Sequence, residues 1–178
     1  FGHRCLSLSS LRGHSKRIAV RRGLPLVDVT GQEHYFTARP ASADERRELS
    51  VRLIGREVTV EVAPGIFSPG GLDKGTAVLL DEVPNPPPSG IFLDLGCGWG
   101  PLALAMALLA PAATIHAVDV NERALDLTRR NAARLGLKGI HAVTPDRVDP
   151  GTRFDLIWSN PPIRIGKAAL HALLRTWL

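Results

Sequence analysis

The sequence predicts an α/β fold built on a doubly wound parallel sheet, preceded by a smaller subregion with a β-hairpin and helices. From residue 91 onward, short apolar runs alternate with longer helical patterns, which is typical of a parallel sheet covered by helices. A glycine-rich loop follows the first of these strands, and an acidic residue ends the second. Both features are typical of sheets that bind nucleotide-like ligands at their carboxyl edge.

The predicted sheet contains four strands, and helices follow the first, second and fourth of them. The strands are 91–95, 114–120, 140–143 and 154–159, and the helices are 101–110, 122–135 and 167–178. Pro101 suits the first turn of a helix, where its missing N–H costs nothing, and Gly136 suits a helix end. No internal repeat interrupts this order.

A β-hairpin is predicted upstream of the sheet. Residues 49–54 and 57–62 each alternate apolar with polar side chains, and Gly55-Arg56 is the expected two-residue turn. Ser42 and Glu45 form a capping box that predicts a short helix before the hairpin. Residues 73–82 carry an apolar face and predict a second helix.

A proline-rich connector divides the predicted subregions. Four prolines lie within 84–88, and proline fits neither a helix interior nor a central strand. We therefore divide the chain into a basic tail at 1–27, a hairpin and helix subregion with its connector at 28–88, and a Rossmann-like domain at 89–178.

The net charge of +5 is concentrated at one end of the chain. Six of the 22 basic residues and none of the 17 acidic residues lie in 1–27, so the remainder is almost neutral. Such a segment is expected to be disordered. A solvated tail, an upstream translation artefact and an RNA-binding arm all fit its composition, and its Arg- and Ser-rich, acid-free character also resembles an organelle transit peptide.

Several classes of protein are excluded by composition. No apolar run approaches the length of a membrane span. Cys5 and Cys97 lie in unrelated contexts, and no Cys or His cluster has the spacing of metal ligands. We expect a reduced, cytoplasmic protein of one compact domain, with no metal and no membrane association.

The loop from Gly96 to Gly100 carries three glycines between the first strand and its helix. Glycines let the backbone turn sharply and approach a ligand. The spacing differs from a dinucleotide-binding loop, whose third glycine would stand where Pro101 stands, and no Lys-Ser/Thr pair completes a phosphate-binding loop. The loop therefore suits a ligand without a pyrophosphate.

Two acidic residues define the charge of that ligand. Asp94 lies in the first strand, and Asp119 lies at the end of the second, where a carboxylate can accept both hydroxyls of a ribose. A cation that carries a ribose and no phosphate fits this pair, and S-adenosylmethionine has these properties. The alternative is a tight turn in which Asp119 only caps a helix.

A second motif, Asn160-Pro161-Pro162, follows the fourth strand at the same predicted edge. The prolines stiffen the backbone and leave its carbonyls free to accept, and Asn160 adds a side-chain acceptor. Two acceptors on the N–H bonds of a planar amine favour a pyramidal, more nucleophilic nitrogen. The motif therefore predicts methylation of an exocyclic or amide nitrogen, although it also occurs as a plain turn.

The segments FSPGGLDKGTAVLL, DLGCGWG, VDVN and SNPPIRIGK appear in this order and resemble those of the ribosomal RNA guanine-N2 methyltransferases, the small-subunit methyltransferase C type and its single-domain relatives. His34-Tyr35-Phe36 and the hairpin are also similar to the N-terminal segment that precedes FSPGG in that family. The resemblance covers residues 31–178. It implies a Rossmann-like class I methyltransferase fold and ribosomal RNA or a ribosomal subunit as partner.

The resemblance also assigns roles to individual residues. It implies that the cofactor is held by Asp94, Gly96, Gly98 and Asp119 with their neighbours Cys97, Gly100 and Val120; that Phe67, Ser68 and Thr76 line its outer side; and that Asp146 meets the adenine amine. Asn160 would contact the cofactor and, with Pro161 and Pro162, orient the target amine. Ile163 would contact the substrate. Arg164 and Lys167 follow the Asn-Pro-Pro motif, where their charges fit either contact with substrate phosphates or simple solvation at a helix start.

Two departures from the family pattern are visible. Many nitrogen methyltransferases carry Phe or Tyr after Asn-Pro-Pro to stack on the target base, whereas this chain has Ile163. The class has a seven-stranded sheet, whereas this sequence ends after the fourth predicted strand. We therefore expect an incomplete sheet in a C-terminally truncated chain, with an exposed edge beside the fourth strand.

The functional hypothesis is in-line methyl transfer from S-adenosylmethionine to the exocyclic amine of a guanine in looped or single-stranded ribosomal RNA. Two alternatives stay open. A protein glutamine amide N-methyltransferase uses the same motif, because an amide nitrogen is equally delocalised. A truncated, non-catalytic module that binds RNA or a partner through its basic tail belongs to another functional class.

Overall fold

The computed structural model describes residues 6–8, 18–19, 45–160, 171, 175 and 177. In chain order the strands are β1 (Leu6–Leu8), β2 (Ile18–Ala19), β3 (Arg47–Leu53), β4 (Arg56–Val62), β5 (Ile91–Leu95), β6 (Thr114–Val118), β7 (Ile140–Val143), β8 (Arg153–Phe154) and β9 (Leu156–Ser159). The helices are α1 (Lys74–Glu82), α2 (Pro101–Leu109) and α3 (Glu122–Arg134), with a 3₁₀ turn at Pro145–Arg147. Residues 171, 175 and 177 are also helical.

The main sheet has the strand order β1-β9-β5-β6-β7. Four of these strands, β9, β5, β6 and β7, are parallel to one another. If these four are renumbered 1 to 4 in chain order, their order across the sheet from β7 to β9 is 3-2-1-4. This order is typical of doubly wound sheets, and it reverses between β5 and β9. The predicted α/β class is confirmed.

Side chains on alternate positions of the strands build two hydrophobic layers, as the pleat requires. Phe92 and Trp158 face a core that includes the apolar sides of α1 and α2. Leu93 and Ile157 face the opposite core, which also contains Trp177. Both faces of the sheet are therefore covered by helical residues.

The sheet edge beside β9 differs from the expected exposed edge. β1 pairs antiparallel with β9, and Ser7 lies opposite Trp158. β2 pairs antiparallel with β8. An open strand edge carries unpaired N–H and C=O groups that favour such additions. Neither β1 nor β2 is predicted from the sequence, since a disordered tail is expected at 1–27.

The β3-β4 hairpin is confirmed, but its turn is one residue earlier than predicted. The turn is formed by Ile54 and Gly55, whose φ angles of 49° and 71° are both positive, as in the type I′ turns that suit the twist of a two-residue hairpin. Arg56 already pairs with Leu53. The turn places buried Leu53 and Val60 in a core with Trp99.

The other predicted elements are found with small shifts. The second strand of the parallel sheet ends at Val118 instead of 120, because Asp119 and Val120 belong to the loop before α3. The fourth is interrupted at Asp155, whose carboxylate accepts a hydrogen bond from the backbone N–H of Ile91. The capping box at 42–45 lies outside the described residues except Glu45, and a strand begins at Arg47.

Within the described part of the chain, no helix is both long enough and apolar enough to cross a membrane. The same residues contain no group of three His, Cys, Asp or Glu side chains that could hold a metal ion.

Candidate active site

A cleft opens at the carboxyl edge of the sheet, where the strand order reverses between β5 and β9. It encloses about 320 Å³ of space, which includes its mouth open to solvent. Eight residues assigned from the sequence line it: Phe67, Ser68, Thr76, Asp94, Gly96, Cys97, Gly98 and Asn160. The sequence therefore predicted most of the lining of this cleft.

The glycine loop connects β5 to α2 through three left-handed backbone conformations. The φ angles are 78° at Gly96, 57° at Gly98 and 95° at Gly100, and L residues with a Cβ rarely adopt them. The N–H groups of Gly96 and Cys97 both donate to the carbonyl of Val118 at the end of β6, over 2.8 and 3.1 Å. The loop is thus tied to the next strand.

Asp94 is buried at the base of the loop. Its Oδ2 accepts a hydrogen bond from the N–H of Ala103 in the first turn of α2, over 2.9 Å. Its Oδ1 is buried and has no hydrogen-bond partner among the described residues. Burial raises the pKa of this carboxyl to about 7, and the charge of Asp119 acts in the same direction.

Asp119 lies just after β6 and bonds to two backbone N–H groups. Its Oδ2 accepts from Gly98 over 3.0 Å, and its Oδ1 accepts from Asn121 over 2.9 Å. Burial raises the pKa of Asp119, while these hydrogen bonds oppose the rise. Each carboxylate oxygen has a second lone pair, so Asp119 can also accept from a pair of vicinal hydroxyls.

The outer side of the cleft is formed by the segment between the hairpin and α1. Ser68 has a φ of 50°, and its hydroxyl donates to the carbonyl of Gly71 over 2.8 Å. The start of α3 holds the residues just before Phe67. Asn121 donates to the carbonyl of Gly65 over 2.8 Å, and Arg123 donates to that of Pro64 over 2.6 Å. Phe67 and Ser68 are thereby held against the glycine loop.

Asn160 reaches the cleft from the end of β9, on the side opposite Asp119. Its side-chain amide donates from Nδ2 to Oδ2 of Asp73 and to Oγ1 of Thr76, each over 2.9 Å. Asp73 also caps α1 by accepting from the N–H groups of Gly75 and Thr76. The start of α1 therefore holds the Asn160 amide in a defined orientation.

The cleft contains acceptors and backbone donors instead of an activated nucleophile. Burial raises the pKa of the Cys97 thiol well above its ordinary value, so the thiol stays neutral and unreactive. His116 is in contact with Phe154 and His141 and is outside the residues that line the cleft. Among the described residues, the arrangement suits chemistry that depends on positioning and electrostatics.

A protein-family model for the methyltransferase small domain matches residues 57–177, which include the hairpin strand β4, the whole parallel sheet and the cleft. The chain belongs to the methyltransferase small domain family. The match begins within β4 and contains the parallel sheet and the cleft, whereas β3 precedes it.

Individual members of the family are similar over much of the chain. The uncharacterized protein YbxB of Bacillus subtilis (strain 168) is 37% identical over 144 residues, which are 79% of this chain and 72% of that protein. Ribosomal RNA small subunit methyltransferase C of Pseudomonas entomophila (strain L48) is 37% identical over 157 residues, 86% of this chain and 46% of the relative. The chain thus spans about half the length of that methyltransferase.

Among solved structures, a 16S rRNA guanine-N2 methyltransferase of T. thermophilus, determined in complex with AdoMet and guanosine, superposes with a TM-score of 0.57 at 28% identity. The match covers 72% of this chain and 36% of that chain. It confirms the predicted class I methyltransferase fold for this member of the methyltransferase small domain family.

Other assigned residues are outside the cleft lining. These include Gly100, Asp119 and Val120, of which Asp119 accepts from the N–H of Gly98 in the glycine loop. Asp146 lies in the exposed 3₁₀ turn after β7 and is outside the cleft lining. Pro161, Pro162, Ile163, Arg164 and Lys167 lie outside the described residues, and their roles stay predictions.

Sequence analysis missed the contribution of Asp73. Its signal was visible as an aspartate at the first position of the helix predicted over 73–82, a residue type that indicates an N-cap. The same carboxylate also bonds to Asn160, 87 positions later in the chain. Capping explains the residue locally, so only the fold reveals its second contact.

Proposed function

We propose that this chain binds S-adenosylmethionine and methylates the exocyclic amine of a guanine in ribosomal RNA. The observation that carries the proposal is the convergence of a carboxylate-lined glycine loop and the Asn160 amide on one cleft at the point where the strand order reverses. The loop supplies the features of a cofactor site, and Asn160 supplies an acceptor for a target amine. Both belong to a chain of the methyltransferase small domain family.

The residues present fit the cofactor. The buried, unpaired Oδ1 of Asp94 is an acceptor at the base of the loop, and an anion there favours a ligand with positive charge. Asp119 has lone pairs left for ribose hydroxyls. Gly98 leaves space above the loop, since a Cβ placed there would meet only the Phe67 carbonyl at 3.9 Å. When bound, S-adenosylmethionine supplies an electrophilic methyl group.

The residues of the chain would then act by orienting the amine. Asn160 Oδ1 would accept a hydrogen bond from one N–H of the target and favour a pyramidal nitrogen. Phe67 lines the cleft, and its aromatic side chain supports a role in contacting a base. Because these acceptors make the nitrogen more nucleophilic, no general base is needed at the start, and we expect the proton to leave to water after transfer.

The choice of guanine and ribosomal RNA rests on the relatives, whose names describe small-subunit ribosomal RNA methyltransferases. Contact of Arg164 and Lys167 with phosphates, of Ile163 with the base and of Asp146 with the adenine belongs to the same proposal. So do a cytoplasmic location and the division into tail, hairpin subregion and cofactor domain.

Titration of the chain with S-adenosylmethionine tests the cofactor site. Replacing Asp119→Ala removes the ribose acceptor, and we expect saturable binding by the wild type that is lost in this variant. Asp81→Ala is the matched control, because Asp81 is exposed on α1. Absence of binding by the folded wild-type chain would contradict the proposal.

Transfer of a labelled methyl group then identifies the substrate. The chain is incubated with ribosomal subunits, with protein-free ribosomal RNA and with ribosomal proteins, and the labelled product is digested to nucleosides or amino acids. We expect N2-methylguanosine, and loss of the label with Asn160→Ala. Label in glutamine would favour the amide N-methyltransferase, and cofactor binding without any transfer would favour a non-catalytic module.

A further inference from the structure

The hydrogen bonds of Asn160 define which atom of its amide faces a substrate. Asp73 Oδ2 already accepts from two backbone N–H groups at the start of α1. An ionised carboxylate cannot donate, so the amide nitrogen of Asn160 must face it. Because Nδ2 gives its second hydrogen to Thr76, Oδ1 is left as the part of this amide that can accept from a target amine.

We propose that Asp73 is a positioning residue of the methyl-transfer reaction, acting with Thr76 to fix and polarise the Asn160 amide so that its Oδ1 accepts from the target amine. This inference rests on the proposed function. Charge-assisted hydrogen bonds are stronger than neutral ones, and a donor that is engaged in one becomes a better acceptor at its other end. Asp73 would thus strengthen the acceptor as well as orient it.

The packing at Gly75 is independent evidence that the Asn160 amide is held close to the start of α1. A Cβ at Gly75 would lie 2.9 Å from Asp73 Oδ2, 3.1 Å from Asn160 Oδ1 and 3.2 Å from Asn160 Nδ2. Gly75 has an ordinary helical position, where alanine is normally the better helix former. The amide therefore lies directly against the backbone of α1, in the space that a side chain would occupy.

The test separates the capping role of Asp73 from its contact with Asn160. Serine is also a good N-cap, but its hydroxyl is one bond too short to serve both groups, so Asp73→Ser keeps the cap and loses Asn160. We expect kcat to fall roughly 100-fold, as misplacement of a reacting group does, while the Kd for S-adenosylmethionine stays unchanged within about twofold. Asp73→Asn keeps an acceptor in place, and we expect it to restore part of kcat.

A double-mutant cycle shows whether Asp73 acts through Asn160. If it does, Asp73→Ser has no further effect on kcat in an Asn160→Ala background. Equal fold losses in both backgrounds would overturn the proposal, and so would wild-type kcat in Asp73→Ser. Asp81→Ser, on the exposed side of the same helix, is the matched control and should retain wild-type activity.

Hydrogen exchange of the Asn160 side-chain amide, measured by NMR, gives a readout that does not depend on turnover. We expect slow exchange in the wild type and Asp81→Ser, and fast exchange in Asp73→Ser and Gly75→Ala. Fast exchange in the wild type would overturn the proposed orientation. If the wild type transfers no methyl group to RNA, the proposed function fails, whereas the exchange experiment still decides the orientation of Asn160.

Discussion

Asp94 accepts a hydrogen bond from Ala103 with one carboxylate oxygen and leaves the other buried without a partner among the described residues. The bond stands in for an N-cap, because Gly100 at the start of α2 has no side chain to fill that role. The unpaired oxygen costs folding free energy in the unliganded protein. That cost is expected where a side chain is positioned for a ligand instead of for the fold.

Cofactor binding is predicted to weaken as the pH falls below about 7. Burial raises the pKa of Asp94 to about 7, and a cationic ligand favours the ionised carboxylate, so binding below this pH must release a proton. We expect the Kd for S-adenosylmethionine to rise up to roughly tenfold per pH unit there. Titration in two buffers with different heats of ionisation measures the released proton directly, and Asp94→Asn, the control, should release none from this site.

The same carboxyl predicts a difference in stability between the wild type and Asp94→Asn. Because its folded-state pKa lies above its ordinary value, Asp94 stabilises the fold below about pH 4 and loses this contribution as the pH rises to about 7. We expect the melting temperature of Asp94→Asn relative to the wild type to increase from acid to neutral pH. A difference in melting temperature between Asp94→Asn and the wild type that stays constant with pH would refute the assignment.

How far the sequence predicted the site depends on the range of each interaction. The glycine loop and Asp119 are local signals, since each follows a strand whose pattern is visible over a few residues. Asp73 was missed because its contact with Asn160 depends on α1 packing beside the end of β9. Likewise, Asn131 of α3 bonds to the backbone of the hairpin at Glu61, a contact that sequence patterning does not reveal because the residue looks like an ordinary helical position.

The shifts in element boundaries have similar local causes. The hairpin turn moved by one residue because two positive φ angles are needed, and Ile54 accepts one despite its β-branched side chain. In the register that this turn sets, Leu53 pairs with Arg56 and is fully buried, as are Val60 and Val62 on β4.

Gly100 is predicted to be the least replaceable glycine of the loop. Alanine there would adopt a φ of 95° and would place its Cβ 3.0 Å from Thr128, which is buried and donates to the Gly98 carbonyl. Gly136→Ala is the matched control, with a φ of 68° and nothing within 4 Å, and it should cost about 1 kcal/mol of unfolding free energy. We expect Gly100→Ala to cost at least about 1 kcal/mol more, measured by urea unfolding. Equal costs would show that Thr128 moves aside freely.

The last prediction concerns the attachment of the hairpin. Asn131 is fully buried on α3; its Oδ1 accepts from the N–H of Glu61 over 2.6 Å, and its Nδ2 donates to the carbonyls of Glu61 and Trp99, each over 3.0 Å. Asn131→Ala would leave these backbone groups unpaired, and each buried orphan costs about 1–3 kcal/mol.

We expect Asn131→Ala to lower the unfolding free energy by about 3 kcal/mol or more, and to weaken cofactor binding as well, because Trp99 belongs to the glycine loop. Arg130→Ala is the neighbouring control. Its ion pair with Asp126 is exposed, and such pairs contribute less than about 1 kcal/mol. Val60 of the hairpin and Trp99 of the loop are buried in one core, so we expect the two to be coupled. A loss of stability without any change in the Kd for S-adenosylmethionine would show instead that the hairpin and the loop are independent.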